Sequence, residues 1–111
     1  MNSAHGECIV LTTIDHEEKA ARFARELIEE RIAACVTRLP AGLSLYRWES
    51  ADIAQEPEHV LLIKTHRSKL DKLESFFETN HPYSVPELLV FSAEKVNAAY
   101  SKWLLEELGL S

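Results

Sequence analysis

Three side chains that could do chemistry lie close together in one short segment. His81 carries an imidazole, which is the commonest nitrogen ligand of metals and a general base near neutral pH. Tyr83 and Glu87 follow it in the same segment. Pro82 and Pro86 constrain the backbone, so the side chains are presented with little loss of entropy. This is typical of a rigid binding loop and equally of a rigid connection. His81 is accordingly either a metal or ligand contact or a residue that stabilises the negative end of a helix dipole.

Two pairs of aromatic side chains have the spacing of a packing or binding surface. Tyr46 and Trp48 are two residues apart and therefore share one face of a predicted strand. That face is expected to serve core packing, a subunit interface or the stacking of a ligand. Tyr100 and Trp103 are three residues apart and are neighbours on a predicted helix, where we expect them to cover the sheet or a partner chain.

Charged residues complete the set of candidate binding side chains. Lys64 ends an otherwise apolar run, and it either extends its ammonium group to solvent or pairs with Glu58 or Glu87 across the sheet. An enzyme could use His81 as a base and Glu87 as the group that orients it, but only their spacing around the loop suggests this.

Most signatures of catalysis and of nucleotide binding are missing from the sequence. With only Gly6, Gly42 and Gly109, the chain has no glycine-rich loop that could hold a phosphate between a strand and a helix. It has no His-Glu-x-x-His pattern and no serine turn of the hydrolase type. We therefore predict a binding protein rather than an enzyme.

The charge and hydropathy of the chain argue against two further classes of partner. A net charge of −6 and a pI near 5.3 do not suit a phosphate backbone, so no nucleic-acid partner is expected. No apolar run approaches the ~20 residues that span a bilayer, so no membrane partner is expected. Residues 1–7 show no export signal. We expect a cytoplasmic protein in which Cys8 and Cys35 are buried thiols rather than a disulfide.

Hydrophobic periodicity predicts the elements that must position these residues. Short apolar runs rich in β-branched side chains indicate strands, and apolar residues three and four positions apart indicate helices. Asp15, with Glu18 three positions later, has the pattern of a helix cap. The predicted elements are strand 8–13, helix 16–34, strand 35–49 interrupted at 40–42, strand 59–65, helix 67–79, strand 88–91 and a helix between Asn97 and Gly109.

This order predicts a single α+β domain over residues 1–111, with residues 1–7 as a flexible N-terminus. Strand–helix–strand–strand–helix–strand is the ferredoxin-like βαββαβ arrangement, here with an additional C-terminal helix. Its antiparallel sheet carries the helices on one face. The segments 50–52 and 55–57 have turn composition and are expected to connect the second and third strands.

Four segments of the chain, 44–49, 63–65, 81–87 and 100–104, resemble the CutA family, the divalent-ion tolerance proteins. The pattern His-Pro-Tyr-x-x-Pro-Glu is the most specific of them. The resemblance implies a homotrimer with PII-like architecture, in which the long second and third strands pair across subunits. It also implies a ligand cleft between subunits, lined by Tyr46, Trp48, Glu58, Lys64, His81, Tyr83, Glu87 and Trp103.

The resemblance implies a function in the response to metal ions. We expect a non-catalytic homotrimeric binding or sensory module of divalent-cation tolerance, with copper or zinc as the candidate metal and His81 as the candidate metal ligand. Relatives discussed as copper binders carry a cysteine and a second histidine where this chain has Thr12 and Asn80. One imidazole with oxygen donors does not select copper. The family also usually has glycines where this chain has Ser50 and Val96.

Two alternatives to metal binding remain open at the level of the sequence. One is a PII-like regulator that holds a small anionic metabolite in the inter-subunit cleft through Lys64 and His81. The other is a trimeric scaffold for partner proteins.

Overall fold

The computed structural model describes residues 2–47, 49 and 51–110 of the chain. Its helices and strands follow the predicted order, with one additional short strand near each end. They are β1 (Asn2–Ser3), β2 (Glu7–Ile14), α1 (Glu17–Glu29), β3 (Cys35–Tyr46), β4 (Ala54–His66), a 3-10 turn (Arg67–Lys69), α2 (Leu70–Asn80), β5 (Leu89–Ser92), β6 (Lys95–Val96) and α3 (Ala98–Glu107).

The main sheet contains four antiparallel strands in the spatial order β3, β4, β2, β5. β2 and β4 therefore occupy the centre, as the split βαββαβ arrangement requires, and the predicted ferredoxin-like fold is confirmed. β1 pairs with β6 in a separate two-stranded sheet. Within the described residues, no helix is long and apolar enough to cross a membrane.

The core lies between one face of this sheet and the helices α1 and α2. Alternate residues of β2 and β4 enter it, because successive side chains of a strand lie on opposite faces. Phe23 of α1 meets Phe76 and Phe77 of α2 edge to face, with ring centroids 5.0 and 5.1 Å apart. The buried core side chains are Val10, Ile14, Ala20, Phe23, Leu27, Ile32, Ala33, Leu61, Ile63, Leu73, Phe76 and Phe77.

β3 and β4 form a long hairpin whose distal part continues past the last residue pair of β2. β3 is one strand with a register shift between Leu39 and Gly42, as predicted for a bulged strand. Residues 42–46 and 54–58, which we call the arm, continue the pairing beyond that bulge. The predicted turn at 55–57 is wrong, because pairing with β3 satisfies the backbone of these residues. Pro57 is tolerated there because β2 already ends at the Ile14–His59 pair, so the missing N–H faces no strand.

α1 begins and ends at other residues than predicted. His16, not Asp15, is the N-cap, and its Nδ1 accepts a hydrogen bond of 3.3 Å from a backbone N–H of the first turn. The helix ends at Glu29, earlier than predicted, because Arg31 adopts a positive φ of 55°. The next two backbone N–H groups turn back to the Leu27 carbonyl, which ends the helix.

The N-terminal residues differ from the flexible segment that the sequence predicts. Asn2–Ser3 pairs with Lys95–Val96. Gly6 turns the chain into β2 with a φ of 118°, and a Cβ at this position would lie 2.6 Å from an imidazole nitrogen. Glu7 is buried and accepts a hydrogen bond of 2.5 Å from the Ser101 hydroxyl of α3. Backbone pairing and this buried carboxylate tie the segment to the C-terminal elements.

Candidate functional site

His81 lies directly after α2 and is only 8% exposed. Its backbone N–H caps the helix by donating to the Phe77 carbonyl at 2.9 Å. Its ring contacts the rings of Phe23 and Phe77, with centroids 5.3 and 5.4 Å away. It is the side chain of Asn80 that bonds to a carbonyl of the last turn: its Nδ2 donates to the Phe76 oxygen at 3.1 Å. The imidazole itself therefore faces the core.

Both ring nitrogens of His81 have protein partners. Nδ1 accepts a hydrogen bond of 3.1 Å from the Tyr83 backbone N–H, which places the proton of the neutral imidazole on Nε2. Nε2 then donates to the Thr12 hydroxyl oxygen at 3.0 Å. Burial lowers the pKa of His81, although a hydrogen bond to the Thr13 backbone and two nearby carboxylates act in the opposite direction. The residue is thus a neutral imidazole held between β2 and the loop after α2.

Tyr83 extends these contacts to β4. Its hydroxyl donates to the Glu58 carboxylate at 2.5 Å. Burial alone would raise the pKa of Glu58, but hydrogen bonds from Ser44, Tyr83 and Thr13 outweigh it and the pKa is lowered. Burial and the neighbouring carboxylate raise the pKa of Tyr83, so the phenol stays a donor. We call the connected residues the polar network: Thr12, His81, Tyr83 and Glu58.

The polar network does not have the donors of a metal centre within one subunit. The acceptor lone pair of His81 is taken by the Tyr83 N–H. Copper and zinc sites in proteins are built from three or four imidazole, thiolate or carboxylate ligands. Within residues 2–47, 49 and 51–110, no three histidine, cysteine, aspartate or glutamate side chains are grouped around a common point. Thr12 and Asn80 supply a hydroxyl and an amide, which do not favour copper.

Replacing Thr12 by valine is expected to lower the free energy of unfolding by about 1–3 kcal/mol. Valine has nearly the same shape as threonine, but the buried Nε2–H of His81 loses its hydrogen-bond acceptor. Urea denaturation measures the change. Thr79→Val is the matched control: its hydroxyl donates to the Ser75 carbonyl on the exposed side of α2. We expect a control change of about 0.5 kcal/mol or less. Equal losses in the two variants would contradict the role given to Thr12.

Lys64 lies on the sheet face away from the core, next to Cys35 and Thr37 of β3. Its Nζ donates to the Thr37 hydroxyl and lies 3.8 Å from Cys35 Sγ. Burial is the main cause that raises the pKa of Tyr100 on α3, and an electrostatic interaction with Cys35 adds to it. The phenol of Tyr100 therefore lies close to Cys35 and Lys64. Its ring also contacts Trp103, with centroids 5.6 Å apart, as the helical spacing predicts. We call Cys35, Thr37, Lys64, Tyr100 and Trp103 the lysine cluster.

The polar network and the lysine cluster are far apart in one subunit. Glu58 and Lys64 are separated by six residues of β4, which corresponds to about 20 Å. The predicted ion pair of Lys64 with Glu58 is therefore not formed within one subunit. His81 and Lys64 also lie on opposite faces of the sheet, because Thr12 faces the core and Lys64 does not. One subunit does not bring these two side chains to the same anion.

The remaining predicted site residues lie apart from His81. Tyr46 ends β3 in the arm and is half exposed. Glu87 is exposed and is no partner of His81, whose ring nitrogens bond to Thr12 and Tyr83. The proposed acid–base pair of His81 and Glu87 is thus not formed within a subunit. Trp48 and Ser50 lie outside the described residues.

Three hydroxyl residues that bond to Glu58 or Lys64 have no distinguishing signal in the sequence. Thr13 and Ser44 donate to Glu58, and Thr37 accepts from Lys64. Small hydroxyl residues are common in strands, and their spacing does not identify their partners. Only the strand register brings them to a charged group.

Comparison with known proteins gives one consistent result. Residues 8–107 match the family described as CutA1 divalent ion tolerance protein. The chain is 39% identical over 103 residues to the divalent-cation tolerance protein CutA of Thermus thermophilus, covering 93% of this chain and 99% of that protein. The structure of CutA from Synechococcus elongatus superposes with a TM-score of 0.91 at 36% identity, covering 96% and 93% of the two chains. CutA1 from Oryza sativa gives 0.88 at 34% identity, covering 92% and 93%.

Proposed function

The chain belongs to the CutA1 divalent ion tolerance protein family, and on that premise we propose that it is a cytoplasmic homotrimeric binding or sensory module of divalent-cation tolerance, without a catalytic step. The observation that carries this proposal is an apolar sheet face left open in the single subunit. A protein that must assemble in order to bury such a face is suited to place a ligand site between its copies.

The open face consists of the strand residues that alternate with those of the core. Phe91 is 55% exposed, and Ile9 and Leu89 are also exposed. Cross-strand rows on this face follow from the register; they are Cys35–Lys64–Ile9–Phe91, Thr37–Leu62–Leu11–Leu89 and Leu39–Val60–Thr13. Single exposed apolar residues are ordinary, but contiguous rows of them on a sheet are typical of an interface.

Among the described residues, no strand pairs with either edge of the main sheet. β3 and β5 are its edge strands, and they present unpaired backbone groups as well as exposed apolar side chains. A head-to-tail arrangement that closes into a ring would cover one edge with the other. It would also bring the polar network of one subunit towards the lysine cluster of the next. We propose that the ligand cleft lies there, with Tyr46 and Glu87 around it.

Native mass spectrometry of the protein titrated with Cu(II) and Zn(II) tests the proposal. We expect an assembly of three times the 12.6 kDa chain mass. Because the His81 nitrogens are occupied within the subunit, we expect equal metal uptake by the wild type and by His81→Gln. A monomer at micromolar concentration would refute the homotrimer. Loss of one metal ion per subunit in the variant would show instead that His81 is a metal ligand.

A second candidate function is regulation by a small anionic metabolite. Lys64 favours it, since this half-buried ammonium group bonds to a hydroxyl and a thiol, and within the described residues it has no carboxylate partner. An anion could therefore supply the missing charge. A thermal-shift screen of anionic metabolites should raise the melting temperature of the wild type and not that of Lys64→Ala. No response across a broad panel would rule this candidate out.

A further inference from the structure

A groove of about 500 Å³ runs between α2 and the loop that follows His81. The apolar part of its lining, which we call its floor, consists of Phe77, which is buried, Pro86 and Leu88. Glu74 and Glu78 form its rim on the helix side, and Tyr83 and Ser84 form the loop side. We call it the α2 groove. Its volume lies in the range of small-molecule sites, about 300–1,000 Å³.

The rim of the α2 groove carries negative charge that the described residues do not neutralise. Glu74 and Glu78 are exposed and lie one turn apart on α2, which places their Cβ atoms about 6 Å from each other. Within the described part of the chain, Arg31 and Glu107 form an ion pair, and neither Glu74 nor Glu78 takes part in one. The whole chain carries a net charge of −6, which adds to the attraction for a cation.

The walls of the α2 groove are held in place before any ligand arrives. One wall is a helix, and the other is a loop with prolines at 82 and 86. Tyr83 holds that loop at two points, by its N–H to His81 Nδ1 and by its hydroxyl to Glu58. A preformed groove loses little conformational entropy on binding.

We propose that the α2 groove binds a small organic cation, an alkylguanidinium with a short apolar stem. The apolar stem of this cation lies on Phe77, Pro86 and Leu88. The N–H groups of its planar guanidinium donate to the carboxylates of Glu74 and Glu78, since a carboxylate can accept two parallel hydrogen bonds from a guanidinium group. A bare Ca²⁺ or Mg²⁺ does not suit the groove, because these ions take six or more oxygen ligands and the floor is apolar. The α2 groove shares Tyr83 with the polar network, whereas Glu74 and Glu78 belong to the groove alone.

The test is a titration of the assembled, isotope-labelled protein with n-butylguanidinium, followed by the backbone amide shifts of residues 74–88. We expect saturable shifts confined to this segment, with a dissociation constant of about a millimolar. The double substitution Glu74→Gln and Glu78→Gln should weaken binding by roughly fivefold or more. Glu26→Gln with Glu29→Gln on α1 changes the net charge equally and should leave the affinity unchanged. n-Butyltrimethylammonium, with the same stem and charge but no N–H donors, should bind several-fold more weakly.

Other outcomes would overturn the inference. Equal weakening in both pairs of glutamine variants would mean that the cation associates with the net charge of the protein. Shifts scattered outside residues 74–88 would mean the same. Absence of saturation up to on the order of 10 mM would mean that the groove does not bind this class of ligand. Glu29, Glu74 and Glu78 are exposed and Glu26 is half-buried. Unchanged shifts elsewhere in the protein verify that the variants are folded.

Discussion

Replacing Phe91 by glutamate is expected to convert the proposed trimer into monomers at micromolar concentration. Phe91 lies on β5 at the edge of the open face, beside Ile9, and more than half of its side chain is exposed in the single subunit. In the proposed assembly a carboxylate at this position would be buried without a partner, which costs several kcal/mol in each interface. Light scattering or native mass spectrometry across a dilution series measures the result.

The matched control is Ile28→Glu. Ile28 lies on α1, away from the sheet, and is also exposed, at 41%. The same new charge on that surface should leave the assembly intact. Dissociation by both variants would mean that the added charge, and not the open face, weakens the assembly. If Phe91→Glu remained a trimer, the open face would not be the main contact between subunits.

Acid is expected to destabilise the protein in two successive steps that arise from the polar network. The folded state lowers the pKa of His81 below 6.5, so the unfolded chain takes up this proton first as the pH falls. Stability is therefore lost as the pH falls from 6.5 towards the folded pKa. The folded state also lowers the pKa of Glu58 below 4.5. A second loss of stability therefore begins near pH 4.5 and, like the first, grows as the pH falls. The charged groups that face His81 are the carboxylates of Glu58 and Asp15, and they limit the first loss.

Tyr83→Phe separates the second step from the first. Without the phenol donor, the pKa of Glu58 should rise towards its ordinary value, so the loss of stability below pH 4.5 becomes smaller. At neutral pH the variant should be less stable than the wild type by about 1–3 kcal/mol, because a buried carboxylate loses a hydrogen bond. Urea denaturation at fixed protein concentration, from about pH 8 to pH 3, measures both effects.

Tyr46→Phe serves as the control for Tyr83→Phe, since Tyr46 is half exposed in the arm. It should reproduce the pH profile of the wild type. His81→Gln, which keeps a neutral polar side chain, should abolish the first step and retain the second. A wild-type stability that does not change between pH 6.5 and 5 would contradict the burial of a neutral imidazole at position 81.

Much of the fold could be predicted from the sequence because it depends on local periodicity. The apolar runs of β2 and β4 and the stripe of Leu70, Leu73, Phe76 and Phe77 on α2 specify strand, strand and helix by spacing alone. The last helix was predicted to begin at Asn97, and the side chain of this residue accepts hydrogen bonds from the backbone N–H groups of Ala99 and Tyr100. These features need only neighbouring residues.

The predictions that were wrong depend on contacts between distant residues. Residues 55–57 have turn composition but extend β4, because a partner strand satisfies their backbone. α1 ends early because Arg31 adopts a positive φ. A positive φ is uncommon for arginine, so the sequence does not predict it. Within one subunit, Lys64 and Glu58 are close in sequence, yet β4 keeps them about 20 Å apart.

The sequence by itself determined the family, the order of the elements and the identity of the reactive side chains, because motifs and periodicity are properties of consecutive residues. Only the tertiary structure decided what those side chains do to one another. The fold buries His81 and gives each of its nitrogens a partner, which a sequence does not reveal, because Thr12 and His81 are 69 residues apart. It also divides the predicted cleft residues between two regions of the sheet and leaves a groove beside α2 whose charge is open to a partner.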